Sequence, residues 1–264
     1  MKRRKQALDV TMIPMTPDAV GILLKEALRR GMLAIRTRRL NFTVTEKAGL
    51  NGKADAFTDA DNAAQDAIVD LIRKTLPGVG VVVEEVKAGS RKPKRTKHIL
   101  IPCTLKGADV WITVDGMDGT GAFRRKESGG IACMISMSYN GVYVAGFILD
   151  VINGELVYYR PDGSKVHWIV PDQEDNPQEV RYEPKPLSES YIYLRDRLDE
   201  YSLICQSMFF TREKGGLFSG YNTERGSIGL TFVRLFRGEA GAVLMLPRVV
   251  TPWDVGPFVL LRYG

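Results

Sequence analysis

Apolar residues recur at helical spacing through Val20, Leu23, Leu24, Ala27, Leu28, Met32 and Ile35. Just before them, Thr16-Pro17-Asp18 supplies a capping hydroxyl, a first-turn proline and an acid at the positive dipole end, so a helix is predicted from there. A second stripe, Ala64, Ala67, Ile68, Leu71 and Ile72, predicts a helix that begins near Thr58 or Asp59 and stops at Pro77-Gly78. The period then changes. Val79 to Val83 is a β-branched run, read as a buried strand closed by Glu84-Glu85, and Asp109 to Val114 reads as another strand, ending at Asp115. Ile131–Tyr139 and Val142–Val151 flank Asn140-Gly141, a hairpin signal. Turns at Asn153-Gly154 and Pro161-Asp162-Gly163 carry the meander through Leu156–Tyr159 to Val166–Val170. Residues 171–190 are polar, hold four prolines and read as a surface connection. Ser227 to Arg237 is predicted helical and Ala242–Leu246 extended. Helices, then an antiparallel meander, then more α/β, point to layered α+β packing.

A chain of 264 residues with 44% hydrophobic content can bury a sizeable core. It is expected to form one domain of two packed subdomains, approximately 1–150 and 151–264. No apolar run reaches the ~18 residues of a membrane helix. The stretch Gln6 to Met15 is broken by Asp9, Thr11 and Pro14, unlike a signal-peptide core, so a cytoplasmic protein is expected, with no membrane partner. The three cysteines lack metal-type spacing and read as inert core residues. Two histidines, His98 and His167, are too few for a His-rich zinc site and read as peripheral. The net charge of +6 is partly clustered at residues 2–5 and 91–97, read as a solvated tail and loop. The second cluster has no interleaved aromatic residue, which argues against a nucleic-acid partner.

The chemistry concentrates in acids at strand ends. Glu84 closes one strand and Asp115 another, Asp118 lies three residues on, and Asp254 sits within Trp253-Asp254-Val255-Gly256. Carboxylates gathered at one sheet edge repel one another, by about 4 kcal/mol per pair at ~4 Å and an effective dielectric of ~20. Such a cluster must take up protons or hold a cation. Oxygen ligands without His or Cys favour Mg²⁺ or Mn²⁺ over Zn²⁺. Gly119-Thr120-Gly121 can expose successive backbone N–H groups as an anion site. Metal carboxylates beside such a nest describe metal-assisted phosphoryl chemistry. Taken alone, Asp115-Gly116-Met117-Asp118-Gly119-Thr120-Gly121 also fits two ordinary turns.

Four ordered segments together resemble the inositol monophosphatase superfamily of metal-dependent, lithium-sensitive sugar phosphatases. Thr58-Asp59-Ala60-Asp61 resembles its T-x-x-D, Val83-Glu84-Glu85 its G-E-E, Trp111 to Thr120 its W-x-x-D-P-x-D-G-T, and Trp253-Asp254-Val255 its W-D-x-A. Arg225-Gly226-Ser227 further resembles the G-S that opens the helix before the last metal aspartate. The resemblance implies a layered α-β-α-β-α sandwich, a frequent homodimer and a small-molecule phosphate ester as substrate. It implies Mg²⁺, or Mn²⁺ in its place, held by Glu84, Asp115, the Met117 carbonyl, Asp118 and Asp254. It implies catalytic roles for Asp61, Glu84 and Thr120, and phosphate or substrate contacts from Asp118, Gly119, Thr120 and Ser227. The implied reaction is direct in-line attack of a metal-activated water on inositol monophosphate or a related sugar phosphate. Relatives with the same metal signature take fructose-1,6-bisphosphate or 3′-phosphoadenosine 5′-phosphate, for which Arg124, Arg125 and Lys126 are candidate extra contacts. A non-catalytic member that binds RNA or protein is the third reading.

The remaining positions carry plainer expectations. Thr58 with Asp61 also reads as a helix capping box, Ser227 as a helix cap, Trp111 and Trp253 as packing residues, and Glu85 as an exposed neighbour of Glu84. Lys53 is a candidate basic residue near the phosphate. Three departures from the family pattern stand out: Gly116 for the signature proline, expected to loosen the loop; Val83 for a glycine; and a C-terminal part that is short after Asp254.

Overall fold

In the computed structural model the described residues are 15–48, 54–86, 98–171, 173, 176–180, 185–209, 215–223, 226–246 and 251–259. The basic runs 2–5 and 91–97, Lys53 and Arg225 lie outside them. Helix α1 (Pro17–Arg38) starts where predicted: Thr16 Oγ accepts from the Ala19 amide at 3.2 Å. Strands β1 (Val44–Ala48) and β2 (Ala54–Thr58) pair as an antiparallel hairpin leading into α2 (Asp59–Thr75). Then come β3 (Gly80–Val83), β4 (Ile99–Ile101), β5 (Val110–Asp118), α3 (Thr120–Arg124) and the meander β6 (Ala132–Tyr139), β7 (Val142–Asp150), β8 (Leu156–Tyr159), β9 (His167–Ile169) and β10 (Gln178–Glu179). The last part comprises β11 (Tyr191–Leu194), α4 (Leu203–Phe209), β12 (Gly220–Thr223), α5 (Ile228–Phe236), β13 (Ala242–Leu244) and α6 (Pro252–Val255).

Eight strands form one sheet in the order β10-β9-β8-β7-β6-β5-β3-β4, and β12-β11-β13 form a second, parallel one. The large sheet continues past residue 150 through Glu179, so β8 to β10 join it rather than the smaller sheet. Its β3–β5 pair is parallel and the rest antiparallel.

Three apolar cores explain the layering. Leu24, Leu28 and Ile35 of α1 and Ile68 and Ile72 of α2 pack on Ile112, Val114, Ile135 and Phe147 of the large sheet. On the opposite face Ala132, Met134, Ile148 and Val157 meet Leu230, Val233 and Phe236 of α5. Beyond α5, Ile192 and Leu194 of the small sheet pack with Tyr201, Phe209 and Phe218. The order is helices, large sheet, helix, small sheet, helix: the α-β-α-β-α arrangement that the resemblance implies. Among the described residues no helix is long and apolar enough to cross a membrane.

Two glycines let the segment after α6 sit directly on the large sheet. A Cβ on Gly146 would meet Val259 Cγ1 at 2.7 Å and the Pro257 carbonyl at 2.9 Å. A Cβ on Gly256 would overlap Ser136 of β6. The turn Gly256–Val259 is therefore seated on the middle of β6 and β7.

Candidate metal and phosphate site

Parallel pairing sets the first two acids side by side. Val83 of β3 lies opposite Val114 of β5, and the Glu84 amide donates to the Val114 carbonyl at 3.2 Å. Glu84 and Asp115 therefore emerge together at the carboxyl ends of adjacent strands. Asp115 is buried, and its Oδ1 accepts from the Met117 amide at 3.0 Å. Its carboxyl is held well above the usual range, first by burial, then by the charge of Glu84, the charge of Asp118, a hydrogen bond with Glu84 and the charge of Asp254. The other three acids that the strand-end reading singles out thus all act on Asp115.

Between Asp115 and Asp118 the β5–β6 register slips: Asp115 pairs with Met134 but Asp118 with Ala132, one extra residue on β5. Such a bulge re-aims a strand end. Asp118 Oδ2 accepts from Ser227 Oγ at 2.5 Å and from the Gly229 amide at 2.9 Å, at the start of α5. Burial raises the Asp118 carboxyl, while the Arg195 charge and these two bonds oppose it. Ser227 is the α5 cap as well, accepting from the Leu230 amide at 3.0 Å, so its cap reading holds. Gly119 takes a left-handed φ of 97° to turn from β5 into α3, and a Cβ there would overlap the Gly130 carbonyl oxygen. The first amides of α3 are the groups a helix leaves open to an anion.

Asp61 and Asp254 are placed by the same local device. Each is the third residue of a helix whose cap is threonine. Asp61 Oδ2 accepts from the Thr58 amide at 2.6 Å and Thr58 Oγ at 2.7 Å; Asp254 Oδ2 accepts from the Thr251 amide at 3.2 Å and Thr251 Oγ at 2.6 Å. The capping-box reading of Thr58-x-x-Asp61 is correct, and the same pattern is legible at Thr251-x-x-Asp254. Asp61 also accepts from Thr120 Oγ at 2.8 Å, across from α3. Burial pushes the Asp61 carboxyl up to about 6, against the lowering bonds from Thr58 and Thr120.

Several expectations need correction. Glu85 is buried, not exposed: its amide donates to Gln65 Oε1 and its carbonyl accepts from Gln65 Nε2, both at 2.9 Å. Gly116 does not loosen the loop. A Cβ there would lie 2.8 Å from the Gln65 backbone nitrogen and 3.1 Å from the Asp61 carbonyl, so this glycine is where β5 and α2 touch. Nor is His98 peripheral. Its Nδ1 lies 3.0 Å from the carbonyls of Val83 and Glu84, and its ring contacts Trp253. Trp253 is buried packing, as expected. Arg125, a candidate for extra substrate contacts, pairs with Glu127 at 2.5 Å at the surface. Arg195 escapes the sequence reading, because no local pattern announces a residue that reaches the site from the small sheet.

Among the described residues, no three His, Cys, Asp or Glu side chains already close around a common point. Asp61 and Asp254 each face the cap of their own helix, and Asp118 faces that of α5. The all-oxygen donor set with its surplus of buried acid fits a hard divalent cation.

The Inositol monophosphatase family model matches residues 18–261. The chain belongs to that family. The extragenic suppressor protein suhB from Bartonella henselae is 20% identical with a TM-score of 0.71, over 93% of this chain and 84% of its own. The Thermotoga maritima IMPase is 18% identical with a TM-score of 0.69, over 93% of this chain and 83% of its own. An IMPase/NADP phosphatase complexed with Mg²⁺ and phosphate is 15% identical with a TM-score of 0.67, over 94% and 82%. At these identities the likeness establishes the fold of this inositol monophosphatase family member. No curated protein sequence matches it.

Proposed function

We propose that this family member is a Mg²⁺-dependent phosphomonoesterase acting on inositol monophosphate or a related polyol phosphate. The observation that carries the reading is Asp115: buried, hydrogen-bonded to Glu84 and under the charges of Asp118 and Asp254. Glu84, Asp115, the Met117 carbonyl, Asp118 and Asp254 would hold the divalent ions, with Mn²⁺ as a substitute. Bound there, the metal would supply Lewis acidity toward the phosphoryl group and a lowered pKa for water. Gly119 and Thr120 would bind phosphate through the open amides of α3. Thr120, whose hydroxyl donates to Asp61, keeps lone pairs that can accept from the attacking water, and Asp61 would orient that hydroxyl. Ser227 would hold Asp118 and face the substrate side.

An IMPase/NADP phosphatase of the same fold was crystallised with Mg²⁺ and phosphate, which supports this metal and this anion together. The Arg195 charge beside Asp118 favours, as a second reading, a substrate with another anionic group, such as fructose-1,6-bisphosphate or 3′-phosphoadenosine 5′-phosphate. A cytoplasmic setting and a homodimer belong to the same reading, the latter tested by sedimentation. Phosphate release from a panel of these esters, with and without Mg²⁺, is the decisive assay. Mg²⁺-dependent release that disappears in Asp118→Asn supports the reading. No release from any ester, together with no Mg²⁺ binding by calorimetry, would instead support a non-catalytic binding role.

A further inference from the structure

We infer that His98 is a positioning residue for the cation site, tying the backbone of Glu84 to the helical turn that carries Asp254. The inference rests on the reading of these two acids as metal ligands. His98 Nδ1 lies 3.0 Å from the carbonyl oxygen of Val83 and 3.0 Å from that of Glu84. Carbonyl oxygens only accept, so Nδ1 carries the hydrogen and donates to both. That engages Nδ1 with the backbone on both sides of the Val83–Glu84 peptide, so this nitrogen braces the strand end and is not itself open to a cation.

The same ring lies against Trp253, with centroids 4.7 Å apart and planes tilted by 42°. Trp253 is buried and immediately precedes Asp254. The His98 carbonyl in turn accepts from the Val83 amide at 2.9 Å, so backbone pairing sets the imidazole in place before its side chain acts. One imidazole thus touches the end of β3 and the body of α6, two elements that approach only after folding. A cation drawn between Glu84 and Asp254 needs those two elements at a fixed separation. Partners behind a ligand typically alter metal affinity ten- to hundred-fold, roughly.

The test separates the two contacts. His98→Asn keeps a donor near the Nδ1 position but removes the ring. His98→Phe keeps the ring and removes the donor. His98→Ala removes both. Mg²⁺ affinity is measured by calorimetry on the full chain, and the part of the Tb³⁺ sensitisation that a Trp253→Phe control removes, which sets aside Trp111 and Trp168, reports the separation of that ring from the ion. The expected result is roughly ten-fold weaker Mg²⁺ binding and reduced Tb³⁺ sensitisation in His98→Ala, partial recovery in the other two, and kcat restored by excess Mg²⁺ with the ester KM unchanged. Parent-like affinity in His98→Ala overturns the inference. Should His98→Ala fail to fold, parent-like affinity in both remaining variants overturns it, as does failure of all three to fold, which would make His98 a core residue. A parent protein that binds no Mg²⁺ removes the ligand reading itself, a different failure from variants that bind as well as the parent.

Discussion

Ser227 and Asp118, 109 positions apart in the chain, meet at 2.5 Å through a hydroxyl that donates to the carboxylate while accepting from the α5 backbone. A single side chain thereby starts a helix and fixes an acid of the site. Ser227→Ala removes both bonds. The loss of a cap costs about 1 kcal/mol, and the loss of the bond to a buried carboxylate brings the total to about 2–4 kcal/mol. Urea unfolding should show that drop, and phosphate release should fall along with it. Unchanged stability would sink the double role.

Gly116 is the contact point of β5 and α2, with backbone, not a flexible side chain, in the way of any Cβ. Gly116→Ala must push α2 away from β5, at about 1–3 kcal/mol. Because Gly116 lies between Asp115 and Met117, two of the proposed ligands, Mg²⁺ affinity should weaken as well. Thermal melting and calorimetry check the two effects separately.

The pH dependence of the metal-free protein has a definite sign. Asp61 titrates near the ordinary aspartate value of 3.8 when unfolded and at about 6 when folded. Between those values the folded state holds more protons, so its stabilising share is complete below 3.8 and is lost as pH rises through about 6. Asp115 and Asp118, also held upward, act in the same direction. Urea midpoints in metal-stripped buffer should therefore fall with rising pH across this window, and Asp61→Asn should flatten the slope. Midpoints that climb instead would contradict the burial of these acids.

Adding Mg²⁺ should reverse that loss. Ligand bound only to the folded state stabilises by about 2.7 kcal/mol at a hundred-fold excess over its dissociation constant. The shift in melting temperature at pH 7 should be larger than at pH 4, where the acids hold protons. Equal shifts at the two pH values would show that the ion binds elsewhere.

Much of the fold is readable from residue patterns. The stripes of α1 and α2, the β6–β7 hairpin at Asn140-Gly141 and the helix after Ser227 arise from local periodicity and capping, and local signals survive folding unchanged. The acids at strand ends are legible because strands that end in carboxylates announce a shared edge. The β1–β2 hairpin escapes such a reading because Thr45, Glu46 and Lys47 present no apolar alternation. Strands β11 and β12, helix α4 and the Arg195 contact depend on packing between distant segments. Gly116 misleads because glycine in a strand signals either freedom or close approach, and only the neighbour, Gln65, distinguishes them. His98 has no partner nearby in sequence; its partners are carbonyls and an indole brought close by β4 pairing.

The seating of Gly256–Val259 on β6 and β7 has an implication for how such a scaffold diversifies. Asp254 is anchored onto the interior of the large sheet by the turn on its C-terminal side, so its placement owes little to the three-stranded sheet. Loops and side chains of that smaller layer that stand clear of Asp118 and Ser227 can be rewritten, whereas Arg195, whose charge acts on Asp118 and which donates to the Gly226 carbonyl, belongs with the site. Swapping them offers a way to retune which ester is accepted while the hydrolytic centre keeps its shape.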